Sequence, residues 1–96
     1  MGVKRFTIQY EETVVRQDIQ KLSVMWKKRI RSAIETKLTE HPEVFGKPLR
    51  RSIKGYRSLR VSDYRVIFRL ETKVVKIFII EHRSSVYKEV LKRLMS

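Results

Sequence analysis

Leu59-Arg60-Val61-Ser62-Asp63-Tyr64-Arg65-Val66-Ile67-Phe68-Arg69-Leu70-Glu71-Thr72-Lys73-Val74-Val75-Lys76-Ile77 is the stretch that decides the fold. Apolar residues recur at every second position on either side of Ser62-Asp63 and again across Thr72-Lys73, the period of a half-buried strand. Tyr56–Val61, Tyr64–Glu71 and Val74–Glu81 therefore read as three strands. Links of two residues force antiparallel hairpins. With such turns Val61 faces Tyr64, Arg60 faces Arg65 and Leu59 faces Val66. Further along, Leu70 faces Val75, Phe68 faces Ile77 and Val66 faces Ile79. One side of the meander, running from Leu59 and Val61 to Ile77 and Ile79, is then core.

That core needs a cover, and the upstream sequence supplies one. Val3–Tyr10 alternates, with Phe6, Ile8 and Tyr10 on one side, and reads as a strand. Val15, Ile19 and Leu22 follow at helical spacing. Ser23 is placed to cap a second helix whose stripe is Trp26, Ile30, Ala33, Ile34 and Leu38. His41-Pro42 ends it, since a residue before proline avoids the α region. Ser84 or Ser85 can cap a last helix, Val86–Met95, with Val86, Val90, Leu91 and Leu94 as its apolar side. The expected order is β-α-α-β-β-β-α, an α+β fold with an antiparallel sheet packed on an N-terminal helical hairpin and a C-terminal helix.

The chain has 96 residues, a length for one domain, 1–96. Its 42% hydrophobic content excludes a disordered basic tail, and three Gly and two Pro exclude collagen-like or linker classes. Without cysteine there is no disulfide framework, thiolate nucleophile or Cys-based zinc site. No apolar run is long enough to span a bilayer, and the first residues lack the apolar core of a signal peptide, so a cytoplasmic protein without membrane partners is expected.

The net charge is +13. It concentrates in residues 47–73, where Lys47, Arg50, Arg51, Lys54, Arg57, Arg60, Arg65, Arg69 and Lys73 oppose only Asp63 and Glu71. Arginine forks match phosphate geometry, so a polyanion is the expected partner; a merely solvated face is the alternative. Lys47, Arg50, Arg51, Lys54 and Arg57 are candidates to bind RNA phosphates, or to keep a loop wet.

The side of the meander away from the core carries Arg60, Arg65, Ile67, Arg69, Lys76, Phe78, Ile80 and His82 in this register. Arg60 and Arg65 sit directly opposite each other, a like-charge pair that costs up to about 1 kcal/mol. An anion between them would remove that cost; the alternative is that both guanidiniums splay into solvent. His82 is expected on the same side, beside Arg83 and one helical turn before Tyr87. Imidazole titrates near neutrality and can move protons in phosphodiester cleavage, although a lone His is commonly just a surface or core residue. Tyr87 can stack on a base or contact a phosphate, or simply pack the last helix. Two histidines with no carboxylate cluster argue against a metal site, and no cofactor is implied.

Phe45-Gly46-Lys47-Pro48-Leu49, Gly55-Tyr56-Arg57-Ser58-Leu59-Arg60-Val61, Asp63-Tyr64-Arg65-Val66-Ile67-Phe68 and His82-Arg83-Ser84-Ser85-Val86-Tyr87 resemble the RelE/ParE toxins of type II toxin–antitoxin pairs, nearly end to end and closer to the RelE branch. The resemblance implies a ribosome-dependent mRNA endoribonuclease that inhibits translation. A ribose 2′-OH would attack the adjacent phosphate without a metal and leave a 2′,3′-cyclic phosphate. It implies Arg65 as stabiliser of the transition-state charge, Arg60 and Arg83 as further cations, and Tyr87 at the scissile region. Some relatives place a Glu in the loop before the sheet as base, and RelE has two strand lysines; here that loop reads Gly46-Lys47-Pro48-Leu49, and the strand positions are Ser58 and Arg60. His82 is then the expected base or acid. Glu81 stands where relatives often have Gly. The implied partners are a cognate antitoxin, the ribosome and mRNA. Two other readings are a ParE-like inhibitor of DNA gyrase without nuclease activity and a nucleic-acid-binding module without catalysis.

Overall fold

The computed structural model describes residues 5–49 and 55–95. Arg50, Arg51 and Lys54, three of the five cations expected to meet phosphate, lie outside the described residues. Strand β1 (Thr7–Tyr10) leads into helix α1 (Val14–Asp18, continuing as Ile19–Lys21) and helix α2 (Val24–Ala33, continuing as Ile34–Leu38). A single turn, α3 (Pro42–Phe45), and a two-residue strand, β2 (Lys47–Pro48), precede the meander β3 (Tyr56–Val61), β4 (Tyr64–Glu71) and β5 (Val74–His82). Helix α4 (Val86–Leu94) closes the chain. The sheet order is β1-β5-β4-β3-β2. The α+β class and the element order are as the sequence indicates, with α3 and β2 added and with β1 lying parallel to β5, Thr7 opposite Val74.

The two helices of the hairpin cover one face of the sheet. Ser23 caps α2, its Oγ accepting the Trp26 N–H at 3.3 Å, and Ile30, Ile34 and Leu38 are buried along the expected stripe. Helix α1 is turned from its expected face: Val14, Asp18 and Leu22 point inward, whereas Val15 is 46% exposed. The cause is Asp18. Its carboxylate accepts the Ile80 N–H at 2.9 Å and a two-pronged bond from Arg93 at 2.9 and 2.6 Å. Val14, one turn earlier, shares that side.

Helix α4 covers the other face. Val86 and Val90 pack with Ile67 and Ile79, flanked by Tyr56, Phe78, Leu49 and Leu94. Leu91, expected inside, is 58% exposed. Ser85 sits at the N-cap without a side-chain bond, while the Ser84 hydroxyl lies 2.8 Å from His82 Nδ1.

The β3–β4 register is the expected one, with Arg60 opposite Arg65 and Val61 opposite Tyr64. The β4–β5 register starts as expected, Leu70 on Val75 and Phe68 on Ile77. It then shifts: Ile67 pairs with Ile79 and Val66 with Ile80, leaving Phe78 as the extra residue of a bulge. Beyond it, every side chain of β5 changes face. Ile80, not Ile79, joins the hairpin-side core, and Ile79 packs under α4. His82 now pairs with Tyr64. Its ring stands edge-on to that of Tyr64 at 5.6 Å, and Tyr64 in turn lies 4.8 Å from Trp26. The expectation that His82 projects from the arginine face is thereby corrected; it ends an aromatic row on the hairpin face.

Candidate active site

The turn at Ser62-Asp63 positions the arginines. Ser62 has φ 55°, the left-handed region, which is costly for a residue with a Cβ. Four contacts hold the turn. Arg65 Nη1 donates to the Ser62 and Tyr64 carbonyls, both at 2.9 Å. The Arg83 N–H donates to the Asp63 carbonyl at 2.7 Å. Arg83 Nε also lies 3.6 Å from the Asp63 carboxylate. One edge of the Arg65 guanidinium is thus anchored, while its Nε and Nη2 have no acceptor among the described residues, a free fork of the kind that takes a phosphate.

The loop before the sheet forms the opposite wall. Gly46 is required there, because a Cβ would come 2.2 Å from the Phe68 Cζ in the core. Arg57 brackets this loop, donating to the Gly46 carbonyl at 2.9 and 3.2 Å and to the Glu43 carbonyl at 3.0 Å. Arg57, expected to bind phosphate, has its fork filled by carbonyls and instead fixes Phe45 and Lys47. Lys47 on β2 pairs with Ser58 on β3, and Pro48 is tolerated because β2 is an edge strand.

Between these walls lies a hollow of about 480 Å³, lined by Phe45, Lys47, Pro48, Leu49, Ser58, Arg60, Arg65 and Tyr87. None of its lining residues is a carboxylate or an imidazole. Tyr87 is 66% exposed and stands on α4 as one rim. Burial, then the neighbouring Arg60 and Arg83, hold the Arg65 guanidinium below its ordinary range, with Asp63 and Tyr87 opposing. Glu81, the cross-strand neighbour of Arg65, does not relieve the crowding, since its carboxylate lies 3.7 Å from Lys21 Nζ.

Of the residues singled out from the sequence, the structure brings together Lys47, Arg60, Arg65 and Tyr87, with Arg83 close enough to act on Arg65. His82 does not line the hollow. Its Nδ1 accepts the Ser84 N–H at 3.1 Å. The sequence reading missed Phe45 and Leu49 as apolar walls; the short β2 that brings them in has too few residues to show a period. Among the described residues, no group of His, Asp or Glu could hold a metal ion, and no helix is long and apolar enough to cross a membrane.

Comparisons with known proteins agree with this architecture. Residues 6–87 match the family model for the ParE toxin of the type II toxin–antitoxin system parDE. No curated protein matches the chain. Among solved structures, the toxin–antitoxin complex RelBE2 of Mycobacterium tuberculosis is similar at 28% identity and a TM-score of 0.78, covering 86% of this chain and 97% of that one. The RelB–RelE complex of Methanococcus jannaschii (20% identity, TM-score 0.67, 84% of this chain and 96% of that one) shares the fold. So does the isolated RelE toxin of E. coli (22% identity, TM-score 0.66, 93% of this chain and 98% of that one). The chain accordingly belongs to the RelE/ParE superfamily of type II toxin–antitoxin toxins, with the architecture of its RelE-like branch.

Proposed function

We propose that the protein is a ribosome-dependent mRNA endoribonuclease held silent by a cognate antitoxin. One observation carries this reading: Arg65 presents a free guanidinium edge into a hollow that holds two further cations, Lys47 and Arg60, and no acid. In the reaction the ribose 2′-oxygen gives up its proton to solvent and bonds to phosphorus, while the bond to the 5′-oxygen breaks and that oxygen takes up a proton, leaving a 2′,3′-cyclic phosphate and a 5′-hydroxyl. Negative charge gathers on the phosphorane oxygens, where preorganised cations are worth about 3–4 kcal/mol each. Lys47 and Tyr87, the hollow-lining groups with a transferable proton, are placed to protonate the departing oxygen. Exposed Tyr87 also offers a face on which a base can stack.

The site does not include His82, whose ring packs against Tyr64 and whose Nδ1 is engaged by Ser84. His82→Ala is therefore expected to leave cleavage within about threefold of the wild type. A loss of about 10²–10⁴, the usual worth of a proton-transferring side chain, would return the imidazole to the reaction.

The match to the ParE model supports a second reading, inhibition of DNA gyrase without RNA cleavage. Induction in a bacterium followed by mapping of mRNA 5′ ends separates the two. New ends inside translated frames, dependent on translation, are the expected result. Intact mRNA with induction of the DNA-damage response would establish the gyrase reading instead.

A further inference from the structure

A second basic groove lies on the far side of β3. It measures about 550 Å³ and runs between α2 and the end of β3, lined by Lys28, Arg29, Lys37 and Arg60 together with the hydroxyls of Ser32 and Thr36. No carboxylate lines it. Two contacts join it to the hollow: Arg60 lines both cavities, and Lys37 Nζ lies 5.5 Å from the ring of Phe45, a wall of the hollow. Among the described residues β2 pairs with Ser58 and Arg57, and no strand pairs with Leu59, Arg60 or Val61 on that side.

The distribution of ion pairs sets this groove apart. Nine of the ten carboxylates are paired with cations elsewhere, on Arg5, Arg16, Lys21, Arg31, Arg69, Lys76, Arg83 and Arg93. Lys28, Arg29, Lys37 and Arg60 have no carboxylate partner among the described residues. On the same helix, Arg31 is paired with Glu35 at 3.0 Å. Arg29 instead lies 4.7 Å from the face of Trp26, which holds its fork on a rigid platform. Cations mixed with hydroxyls, without acids, are what holds a phosphodiester backbone in register without reading bases.

We propose that this groove is a second RNA-backbone site, continuous with the hollow through Arg60, so that one strand occupies both cavities. The proposal rests on RNA being the ligand of the hollow, but not on cleavage there. The test uses the full-length protein and 2′-O-methylated single-stranded RNA, which lacks the attacking hydroxyl. One probe is about three nucleotides long and fills only the hollow; the other, about twelve, reaches the groove. The variant is Lys28→Gln/Arg29→Gln/Lys37→Gln, whose side chains make no ion pair among the described residues.

Wild-type protein should bind the long RNA more tightly than the short one. The triple variant should keep its affinity for the short RNA and lose the gain with length. Three lost phosphate contacts should lower the salt slope by about two, so a fourfold rise in salt weakens the wild type roughly 20-fold more than the variant. A triple variant that binds the long RNA as the wild type does, with the same slope, overturns the proposal. The same holds if it loses only a poly-glutamate probe, which would mark the groove as a seat for an acidic protein segment. Mapping of mRNA 5′ ends after induction of the wild type, run in parallel, keeps the two readings apart: if mRNA stays intact while the short RNA still binds and the triple variant still loses the gain with length, the nuclease reading falls and the groove stands.

Discussion

Arg65→Ala should abolish growth arrest and lower RNA cleavage by about 10²–10³, while its melting free energy stays within about 1 kcal/mol of the wild type. The two halves come from the same geometry. Two hydrogen bonds to the turn carbonyls are lost, each worth about 0.5–1.5 kcal/mol net. Against that, a partly buried guanidinium held below its ordinary range by burial, Arg60 and Arg83 is removed. The losses and the relief offset each other, so the fold persists. On the proposed reading activity should not persist, because Arg65 is the fork in the hollow that the turn carbonyls hold in place. Arg65→Lys should fail nearly as badly, since an ammonium keeps the charge but not the planar pair of donors. Growth arrest at wild-type strength in a folded Arg65→Ala protein, with mRNA still cut, would remove this residue from the chemistry. A melting loss of several kcal/mol would instead make it a structural clamp of the Ser62-Asp63 turn.

Much of this site was legible before any coordinates. Alternation around Ser62-Asp63 is strict, and a two-residue link leaves one register, so the facing of Arg60 on Arg65 followed directly. Lys47 came from the run of basic residues and Tyr87 from its place after His82-Arg83, and the hollow joins them. The placement of His82 failed for a definite reason. In Ile77-Phe78-Ile79-Ile80 every residue is apolar, so the pattern cannot show where a bulge sits, and one extra residue exchanges the faces of everything after it. The face of α1 was misread for a related reason. Asp18 breaks an apolar stripe and so reads as surface, yet it is 1% exposed because its partner, Arg93, lies 75 residues away. Long-range pairing of charges leaves no trace in local periodicity. The groove on α2 did leave one: Lys28, Arg29 and Lys37 have no acid four residues away in either direction, whereas Arg31 has Glu35. A cation without its helical partner is a cation available to something else.

Asp18→Ala should be the most damaging substitution for stability. The Asp18 carboxylate accepts three bonds, from the Ile80 N–H and from both terminal nitrogens of Arg93, in a setting closed to water. Those bonds, first among several causes, push the already high Arg93 guanidinium further up. Arg93 also reaches the Phe78 carbonyl at 3.3 Å and Glu89 at 2.9 Å. The pair therefore sits where β1 leaves β5 and the bulge opens its edge, tying α1 on one face of the sheet to α4 on the other. Removing Asp18 leaves the buried Ile80 N–H without an acceptor and Arg93 with Glu89 as its remaining carboxylate, at a cost of about 3–5 kcal/mol, a large part of the roughly 5–15 kcal/mol that holds such a domain together. Thermal unfolding should fall by about 20 °C. Asp18→Asn keeps an acceptor for Ile80 but not the charge, so it should fall between the two. Replacing both partners with leucine should recover only part of the loss, because the Arg93 charge is removed but the buried Ile80 N–H still lacks its acceptor. A single Asp18→Ala protein that melts within about 1 kcal/mol of the wild type would show that α4, and Tyr87 with it, is held by Val86 and Val90 alone. In that case the angle of Tyr87 over the hollow would be set by apolar packing under the helix rather than by the ion pair at its far end.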